Sequence, residues 1–444
     1  MNAPFGGASA NRRAGNLTDP VGNLTDPVGN LADPARTVVI ANIGVLVTHD
    51  PAHPRVLGDQ PDGRPDFGTG LTGAWLVLGP GSDGVARVLR TGTGHPPAAD
   101  GVMDVEGATV IPGFVDSHTH MVFAGDRSAE FAARMAGAPY QAGGIATTIE
   151  ATRAASAEQL RQGLRRRVAE SRAQGITTRE IKSGYAASTS GEARLLRMAR
   201  EVTSHTTLLG AHVVPPEVDA DAFVSLVVEE MTPACAELAT RVDVFCERGA
   251  FDVDQSRAVL EAGATAGLTP TIHAGQLQAG PAVALAVELG CASADHCTHL
   301  TNEDVALLGS SSTVATLLPA TDFSTRQPYP DARRLLDAGA VVALATNCNP
   351  GSSFTSAMAL VIALAVRDCR MTLPEALWSA TAGGATALRQ SDIGHLQTGA
   401  RADLAVVSAP TPDHLAYRPG MPLIDTTIEA GQVVWRATGA WPPA

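Results

Sequence analysis

Between residues 113 and 390 the chain alternates short apolar stretches with longer stretches of helical character, and this alternation limits the fold more than any other feature. Eight apolar stretches have the length and composition of strands: residues 114–120, 177–184, 206–212, 242–247, 270–276, 292–297, 313–320 and 341–349. The segments between them, such as residues 156–175 and 189–202, are rich in Ala, Leu, Arg and Glu, which is typical of helices. Strands that alternate with helices form βαβ units with a parallel sheet, and eight such units predict an α/β fold, the (β/α)8 barrel.

Most of these predicted strands end in a polar or ionisable side chain. The residues concerned are His118, His120, Glu180, Lys182, His212, Glu247, His273, His296 and Asn347. A (β/α)8 barrel carries its active site at the C-terminal ends of its strands. One buried histidine is usually a packed core residue, but four separate strands that end in histidine favour a functional site at this end of the barrel.

The pair His118 and His120 indicates a metal site. In an extended strand, side chains two residues apart point to the same side, so both imidazoles can reach one point. His273 ends another apolar run and is the best candidate for a third ligand, and His296 is either a fourth ligand or a base near bound water. Such a set would accept Zn²⁺, Fe²⁺ or Mn²⁺. Because a catalytic metal lowers the pKa of bound water toward ~7, the expected reaction class is hydrolysis.

The composition restricts the partners and the compartment. The formal net charge is −13, and nucleic acids and anionic membranes both attract basic surfaces, so neither is expected as a partner. No apolar stretch approaches the ~20 residues that a membrane span needs, and the N-terminus lacks the features of a signal peptide. The six cysteines are widely spaced, which is typical of reduced thiols in the cytoplasm.

The two ends of the chain differ from its centre. Residues 1–36 contain a tandem repeat (NLTDPVG, NLTDPVG, NLADPAR) that is rich in turn-forming residues, and they are expected to be a disordered extension. Residues 37–112 and 391–444 are rich in short strand-like stretches and turns. We expect them to combine into one small β-sandwich domain beside a catalytic barrel at residues 113–390.

Several segments together resemble one enzyme family. They are DSHTHMVFAGDR, AGGIATTIEATRAAS, EIKSGY, LGAHVVPPE, VDVFCERGAF, ADHCTHLT, NCNPGSS and GARADL. In number and order they are similar to the imidazolonepropionases, which are amidohydrolase-superfamily enzymes of histidine degradation, over residues 37–440. The resemblance implies hydrolysis of 4-imidazolone-5-propanoate to N-formimidoyl-L-glutamate by attack on the ring carbonyl and cleavage of the cyclic amide bond.

The resemblance also implies roles for particular residues. The implied ligands of one divalent metal ion, Zn²⁺ or Fe²⁺, are His118, His120, His273 and Asn347. His296 would activate water or move protons, with Gln276 and Asn347 as the other catalytic positions. Arg127 would bind a substrate carboxylate, since a guanidinium pairs with one bidentately. The other substrate-contacting positions would be Tyr185, His212, Gln276, Asn349, Gly351 and Ser352. The family further implies a homodimer.

Gln276 and Asn347 bear on which alternative functions stay possible. Related deaminases place a proton-carrying Glu three residues after the strand-end histidine, whereas this chain has Gln276, so deamination is disfavoured. The family pattern Thr-Asp-x-Asn-Pro-Gly reads Thr346-Asn347-Cys348-Asn349-Pro350-Gly351 in this chain. An amide cannot act as a general base. A hydrolase of another small cyclic amide or amidine, and a catalytically silent relative, therefore stay open. Lys182 is interpreted as a residue that either is structural or supports the metal ligands from behind, and no role is assigned to it.

Overall fold

The computed structural model describes residues 36–49, 71–137 and 144–438. One expectation from the sequence, the disordered extension at residues 1–36, falls outside these residues except for Arg36.

The chain folds into 18 strands and 15 α-helices within the described residues. The strands are β1 (Val38–Leu46), β2 (Leu71–Pro80), β3 (Ala86–Thr93), β4 (Gly101–Asp104), β5 (Thr109–Pro112), β6 (Phe114–Asp116), β7 (Ile176–Arg179), β8 (Ile181–Lys182), β9 (Thr206–Ala211), β10 (Arg241–Cys246), β11 (Thr269–Pro270), β12 (Ile272–Ala274), β13 (Ser293–His296), β14 (Val314–Leu317), β15 (Val342–Leu344), β16 (Leu404–Val407), β17 (Ile424–Glu429) and β18 (Gln432–Arg436). The helices are α1 (Ser128–Met135), α2 (Ile145–Ala154), α3 (Ala157–Ala173), α4 (Thr189–Ala199), α5 (Ala220–Leu226), α6 (Thr232–Cys235), α7 (Val253–Thr265), α8 (Ala282–Glu288), α9 (Asn302–Gly309), α10 (Pro319–Thr325), α11 (Ala332–Asp337), α12 (Met358–Arg367), α13 (Leu373–Trp378), α14 (Gly384–Ala387) and α15 (His414–Tyr417).

Strands β6 to β15 form the predicted barrel. Parallel pairing joins β6 to β7, and runs from β8 through β9, β10, β12, β13 and β14 to β15. The backbone N–H of Asn347 donates to the carbonyl of His118, and the backbone N–H of His120 donates to the carbonyl of Cys348. These bonds connect the end of the last strand to the end of the first. All eight predicted strands are present, so the prediction of a (β/α)8 barrel is confirmed.

Local sequence signals fix where several barrel helices begin. Ser156 and Gln159 form a reciprocal capping box at the start of α3, and Thr301 and Asp304 form another at α9. Each box satisfies backbone N–H groups that a helix start leaves free. Helix α7 packs closely against β10 because Gly263 has no side chain. A Cβ at this position would be 2.2 Å from Cγ1 of Val242.

A second sheet takes strands from both ends of the described chain. Its order is β18-β17-β16-β5-β1-β2-β3, with β4 paired to β1. Strand β5 joins the two halves, since it runs parallel to β1 and antiparallel to β16. Apolar side chains from both halves, including Leu76 and Leu404, form a core separate from that of the barrel. Among the described residues, no helix is both long and apolar enough to cross a bilayer.

Candidate metal centre and active site

Three imidazoles meet at the C-terminal end of the barrel. The nearest ring nitrogens of His118, His120 and His273 lie within 4.8 Å of one another, and all three residues are buried. The two Nε2 atoms of His118 and His120 are 3.3 Å apart. The residues come from the loop after β6 and from β12, so the barrel brings together histidines that are 153 positions apart in the sequence.

Two buried aspartates orient two of these imidazoles. The Nδ1 atom of His118 lies 2.6 Å from Oδ2 of Asp295, and Nδ1 of His273 lies 3.0 Å from Oδ1 of Asp243. When Nδ1 donates its proton to a carboxylate, Nε2 keeps its lone pair and can ligate a metal. Both aspartates therefore set the tautomer in which the histidines face the common point.

Burial keeps four imidazoles of the site neutral. Burial lowers the pKa of His118, His120 and His296 well below the ordinary value of 6.5. It also lowers the pKa of His212 to about 3, with a smaller contribution from His273. A metal ion competes with no proton on a neutral imidazole, so these donors suit a divalent transition metal near pH 7.

Asn347 lies beside the three histidines with an amide oxygen that has no partner among the described residues. Its Nδ2 donates to Oγ1 of Thr321 over 2.8 Å, and its backbone φ is +56°, in the left-handed region. Non-glycine residues adopt this region at a cost, which asparagine tolerates better than most. The orphaned buried oxygen is a neutral donor that fits a divalent cation.

His296 completes the histidine cluster at the end of β13. Its ring centroid lies 5.3 Å from that of His273 and 5.7 Å from that of His118. Its φ is +81°, and its Nδ1 atom has no hydrogen-bond partner among the described residues. Strained backbone in a functional cleft commonly serves to aim a side chain.

A cavity opens above the histidines. Its lining includes most of the residues that the sequence assigned to the site: His120, Arg127, Tyr185, His212, His273, Gln276, His296, Asn347, Asn349 and Ser352. His118 lies beneath the surface of this cavity, in contact with His120 and His273. Gly351 lines a neighbouring cavity instead.

Arg127 reaches the cavity while already paired with a carboxylate. Its Nε and Nη2 donate to the two oxygens of Glu130 over 2.7 and 2.8 Å. The guanidinium also lies against the backbone of Gly351, where a Cβ would be 2.1 Å from Nη1. A larger residue at position 351 would displace Arg127, so Gly351 shapes the site through this contact.

Asn349 and Gln276 occupy loops that other groups hold in place. The side chain of Asn349 accepts from the amides of Gly351 and Ser352 and donates to the carbonyl of Asn347. The backbone N–H of Gln276 donates to Oε2 of Glu247 over 3.0 Å. The Gln276 side chain lies on the cavity wall. His212 donates from Nδ1 to the Gly184 carbonyl oxygen over 3.1 Å and stacks on His120.

Comparison with known proteins identifies the family. Residues 109–434 match the amidohydrolase family. The chain is 55% identical over 403 residues to the imidazolonepropionase of Mycolicibacterium smegmatis, which covers 90% of this chain and 98% of that protein. It is 56% identical over 403 residues to the imidazolonepropionase of Streptomyces coelicolor, with the same coverage. The chain belongs to the imidazolonepropionase family.

Solved structures of more distant proteins share the fold. A 5-methylcytosine deaminase from Klebsiella pneumoniae is 17% identical, with a TM-score of 0.69 over 91% of this chain and 99% of that chain. A triazine hydrolase from Arthobacter aurescens is also 17% identical, with a TM-score of 0.66 over 90% of this chain and 94% of that chain. These likenesses support the barrel with its additional domain.

Sequence reasoning missed Asp243, Asp295 and Glu130 in this imidazolonepropionase-family site. The first two lie inside fully buried strands. An ionisable residue in such a strand is rarely buried without a partner, and this signal was present in the sequence. Glu130 lies on a surface helix with no comparable signal.

Proposed function

We propose that this chain hydrolyses 4-imidazolone-5-propanoate to N-formimidoyl-L-glutamate in histidine degradation. Identities of 50–56% to imidazolonepropionases over about 90% of the chain carry the proposal. The cavity supports it chemically, because it combines a cluster of imidazoles with a guanidinium, and the substrate combines a cyclic amide with a carboxylate. In the reaction, water adds to the ring carbonyl carbon and the bond from that carbon to the ring nitrogen breaks.

We infer that His118, His120 and His273 hold one divalent metal ion, Zn²⁺ or Fe²⁺, with the Asn347 amide oxygen as a further neutral donor. The neutral imidazoles and the orphaned amide oxygen support this set. When bound, such an ion lowers the pKa of water toward ~7 and polarises a carbonyl. An atrazine chlorohydrolase of the same fold has been solved in complex with zinc, which favours zinc.

Arg127 positions the substrate by its propanoate group in this proposal. Its guanidinium is fixed by Glu130 and Gly351 at the cavity wall, so little freedom is lost when a second carboxylate binds. Tyr185, His212 and Ser352 line the same cavity and would contact the ring or the chain. The Asn349 side chain is fully engaged with its own loop, so its part is to shape the wall around Ser352.

His296 is the group that moves the proton. It lines the cavity, burial keeps it unprotonated before reaction, and its Nδ1 atom has no competing partner among the described residues. It would accept a proton from the attacking water and deliver it to the departing ring nitrogen. Gln276 can donate or accept a hydrogen bond in the cavity but cannot carry the proton.

Asn347 favours a second candidate, a silent relative that binds substrate without turnover. Loss of one positioned base typically slows a reaction by ~10²–10⁴-fold, unless another group takes its place. A hydrolase of another small cyclic amide or amidine is the remaining alternative. The silent relative would turn over no compound, and the other hydrolase would turn over a compound other than imidazolonepropionate.

The test is an assay of the metal-loaded chain on imidazolonepropionate and on a panel of other cyclic amides and amidines, with products identified by mass spectrometry. We expect N-formimidoyl-L-glutamate from imidazolonepropionate and little turnover of the panel. A His118→Ala variant is the control for contaminating activity. Binding without product would support the silent relative, and turnover of a panel compound alone would support the other hydrolase.

We also propose a homodimer in the cytoplasm, without nucleic-acid partners. All six cysteines are free and buried, which suits a reducing compartment. The dimer rests on the family resemblance alone, and light scattering of the purified chain tests it.

A further inference from the structure

Lys182 is the only lysine in the chain. The 444 residues include 32 lysines and arginines together, and every other one is arginine. Lys182 ends β8 inside the barrel, with a side chain that is 1% exposed. A chain that otherwise uses arginine throughout keeps a lysine at one fully buried position. This position therefore requires something that a guanidinium does not provide.

The Lys182 ammonium lies among three buried carboxylates. Its Nζ atom is 2.7 Å from Oδ2 of Asp243, 3.2 Å from Oε1 of Glu180 and 3.7 Å from Oδ2 of Asp295. Burial alone would lower the pKa of Lys182, but the three carboxylates outweigh it and raise the pKa above its ordinary value. The ammonium therefore stays charged, and it supplies the countercharge that buried carboxylates need.

Two of these carboxylates are the ones that orient the metal-binding histidines. Asp243 contacts Nδ1 of His273, and Asp295 contacts Nδ1 of His118. One ammonium is thus connected through single carboxylates to two of the three imidazoles. These outer contacts set ring orientation and ligand basicity, and their loss typically weakens metal binding by ~10–100-fold.

The same carboxylates outline a second place where a cation fits. Ligand atoms of His118, Asp243 and Asp295 lie within 4.8 Å of one another, as expected of a metal site. The ammonium of Lys182 already contacts both aspartates of this set. An ammonium is a compact point charge, whereas a guanidinium is a wide planar group with five N–H donors. The compact ammonium suits the space between these aspartates better than a wide guanidinium would.

We propose that Lys182 is a positioning residue whose ammonium takes the place of a second metal ion and holds Asp243 and Asp295 so that His273 and His118 present Nε2 to a single metal ion. The proposal rests on the metal site inferred above. It predicts one metal ion per chain and a metal affinity that depends on a residue that does not itself ligate the metal.

The first experiment measures metal binding by the full chain and by Lys182→Met, which removes the charge and keeps the length of the side chain. Chelator competition should show about 10- to 100-fold weaker Zn²⁺ binding by the variant. The visible spectrum of the Co²⁺-loaded variant should also change, because two ligands lose their fixed orientation. Arg161→Met, on the exposed face of α3, is the control and should change neither readout. A folded variant with unchanged affinity and spectrum would overturn the proposal.

A second experiment needs no variant, and it decides the matter if Lys182→Met fails to fold. With isotope-labelled lysine the full chain has one lysine side-chain signal, since it has one lysine. The signal should report an ammonium protected from solvent, and it should shift when one equivalent of Zn²⁺ is added. A stoichiometry of two metal ions per chain, or a signal that Zn²⁺ leaves unchanged, would overturn the proposal.

These readouts separate this inference from the proposed function. If metal affinity depends on Lys182 but imidazolonepropionate is not hydrolysed, the positioning role stands and the substrate assignment fails. If imidazolonepropionate is hydrolysed and metal affinity is independent of Lys182, the function stands and the positioning role fails.

Discussion

At the scale of single residues, Arg127 is held in place before any substrate arrives. Glu130 engages one edge of its guanidinium, and Gly351 leaves the space in which the other edge lies. A side chain that is already fixed loses little entropy when it binds a ligand. Arg127 is 8% exposed, so the ion pair with Glu130 is not an isolated surface contact of small value.

Replacing Arg127 with Met should raise the KM for imidazolonepropionate by about 10- to 100-fold and change kcat much less. Hydrogen bonds to charged groups contribute roughly 1.5–3 kcal/mol. Arg127 would make these bonds equally to the bound substrate and to the transition state, so their loss raises KM and leaves kcat nearly unchanged. Steady-state kinetics measures both constants. Arg161→Met, which breaks an exposed ion pair with Glu201, is the matched control and should leave KM unchanged. An unchanged KM for Arg127→Met would remove Arg127 from the binding site.

At the scale of elements, strand positions were predictable but side-chain partners were not. The apolar period and the polar strand ends located His118, His273 and His296 because both signals are local in sequence. Contacts such as His118 with Asp295 join residues 177 positions apart, and only the closed barrel brings them together. Asn349 shows the same limit, since its hydrogen bonds within the loop that ends at Ser352 were not predictable, while its substrate contact stays a prediction.

The packing of α7 on β10 depends on a missing side chain. Gly263→Ala should destabilise the barrel by about 1–3 kcal/mol, because the new Cβ would lie 2.2 Å from Cγ1 of Val242 in a packed core. Urea unfolding of the metal-free chain measures the change. Gly280→Ala is the control, since its Cβ would meet no atom within 4 Å, and it should be neutral. Equal stability of the two variants would show that α7 can move away from β10 at no cost.

At the scale of the whole molecule, the barrel and the sheet meet at buried polar contacts. His49, just after β1, lies 2.8 Å from the hydroxyl of Thr381, which belongs to the π-helical turn Ser379–Gly383 of the barrel. The alternation of strands and helices predicted the barrel, and the strand-like stretches at both ends predicted the sheet. Neither signal could predict this junction, because a lone histidine just after a strand has no periodic signal.

Acid should weaken this junction. Burial, with a smaller effect of His395, lowers the pKa of His49 to about 3 from 6.5. Above pH 6.5 His49 is mostly neutral in the folded and in the unfolded chain. Below pH 6.5 His49 becomes protonated in the unfolded chain but stays neutral in the folded chain. The free energy of unfolding should therefore fall as the pH falls, by roughly 2 kcal/mol between pH 7 and 5 from this group. Urea unfolding at pH 7 and pH 5 should show a smaller loss for His49→Gln, and an equal loss would contradict this assignment.

We propose that this barrel hydrolyses imidazolonepropionate with an amide at position 347 because His296 moves the proton. The most direct measurement is kcat on imidazolonepropionate for three metal-loaded proteins: the chain itself, Asn347→Asp and His296→Ala. We predict that the chain turns over, that Asn347→Asp changes kcat by less than about tenfold, and that His296→Ala loses ~10²–10⁴-fold. A silent chain that Asn347→Asp restores, or full activity of His296→Ala, would contradict the account.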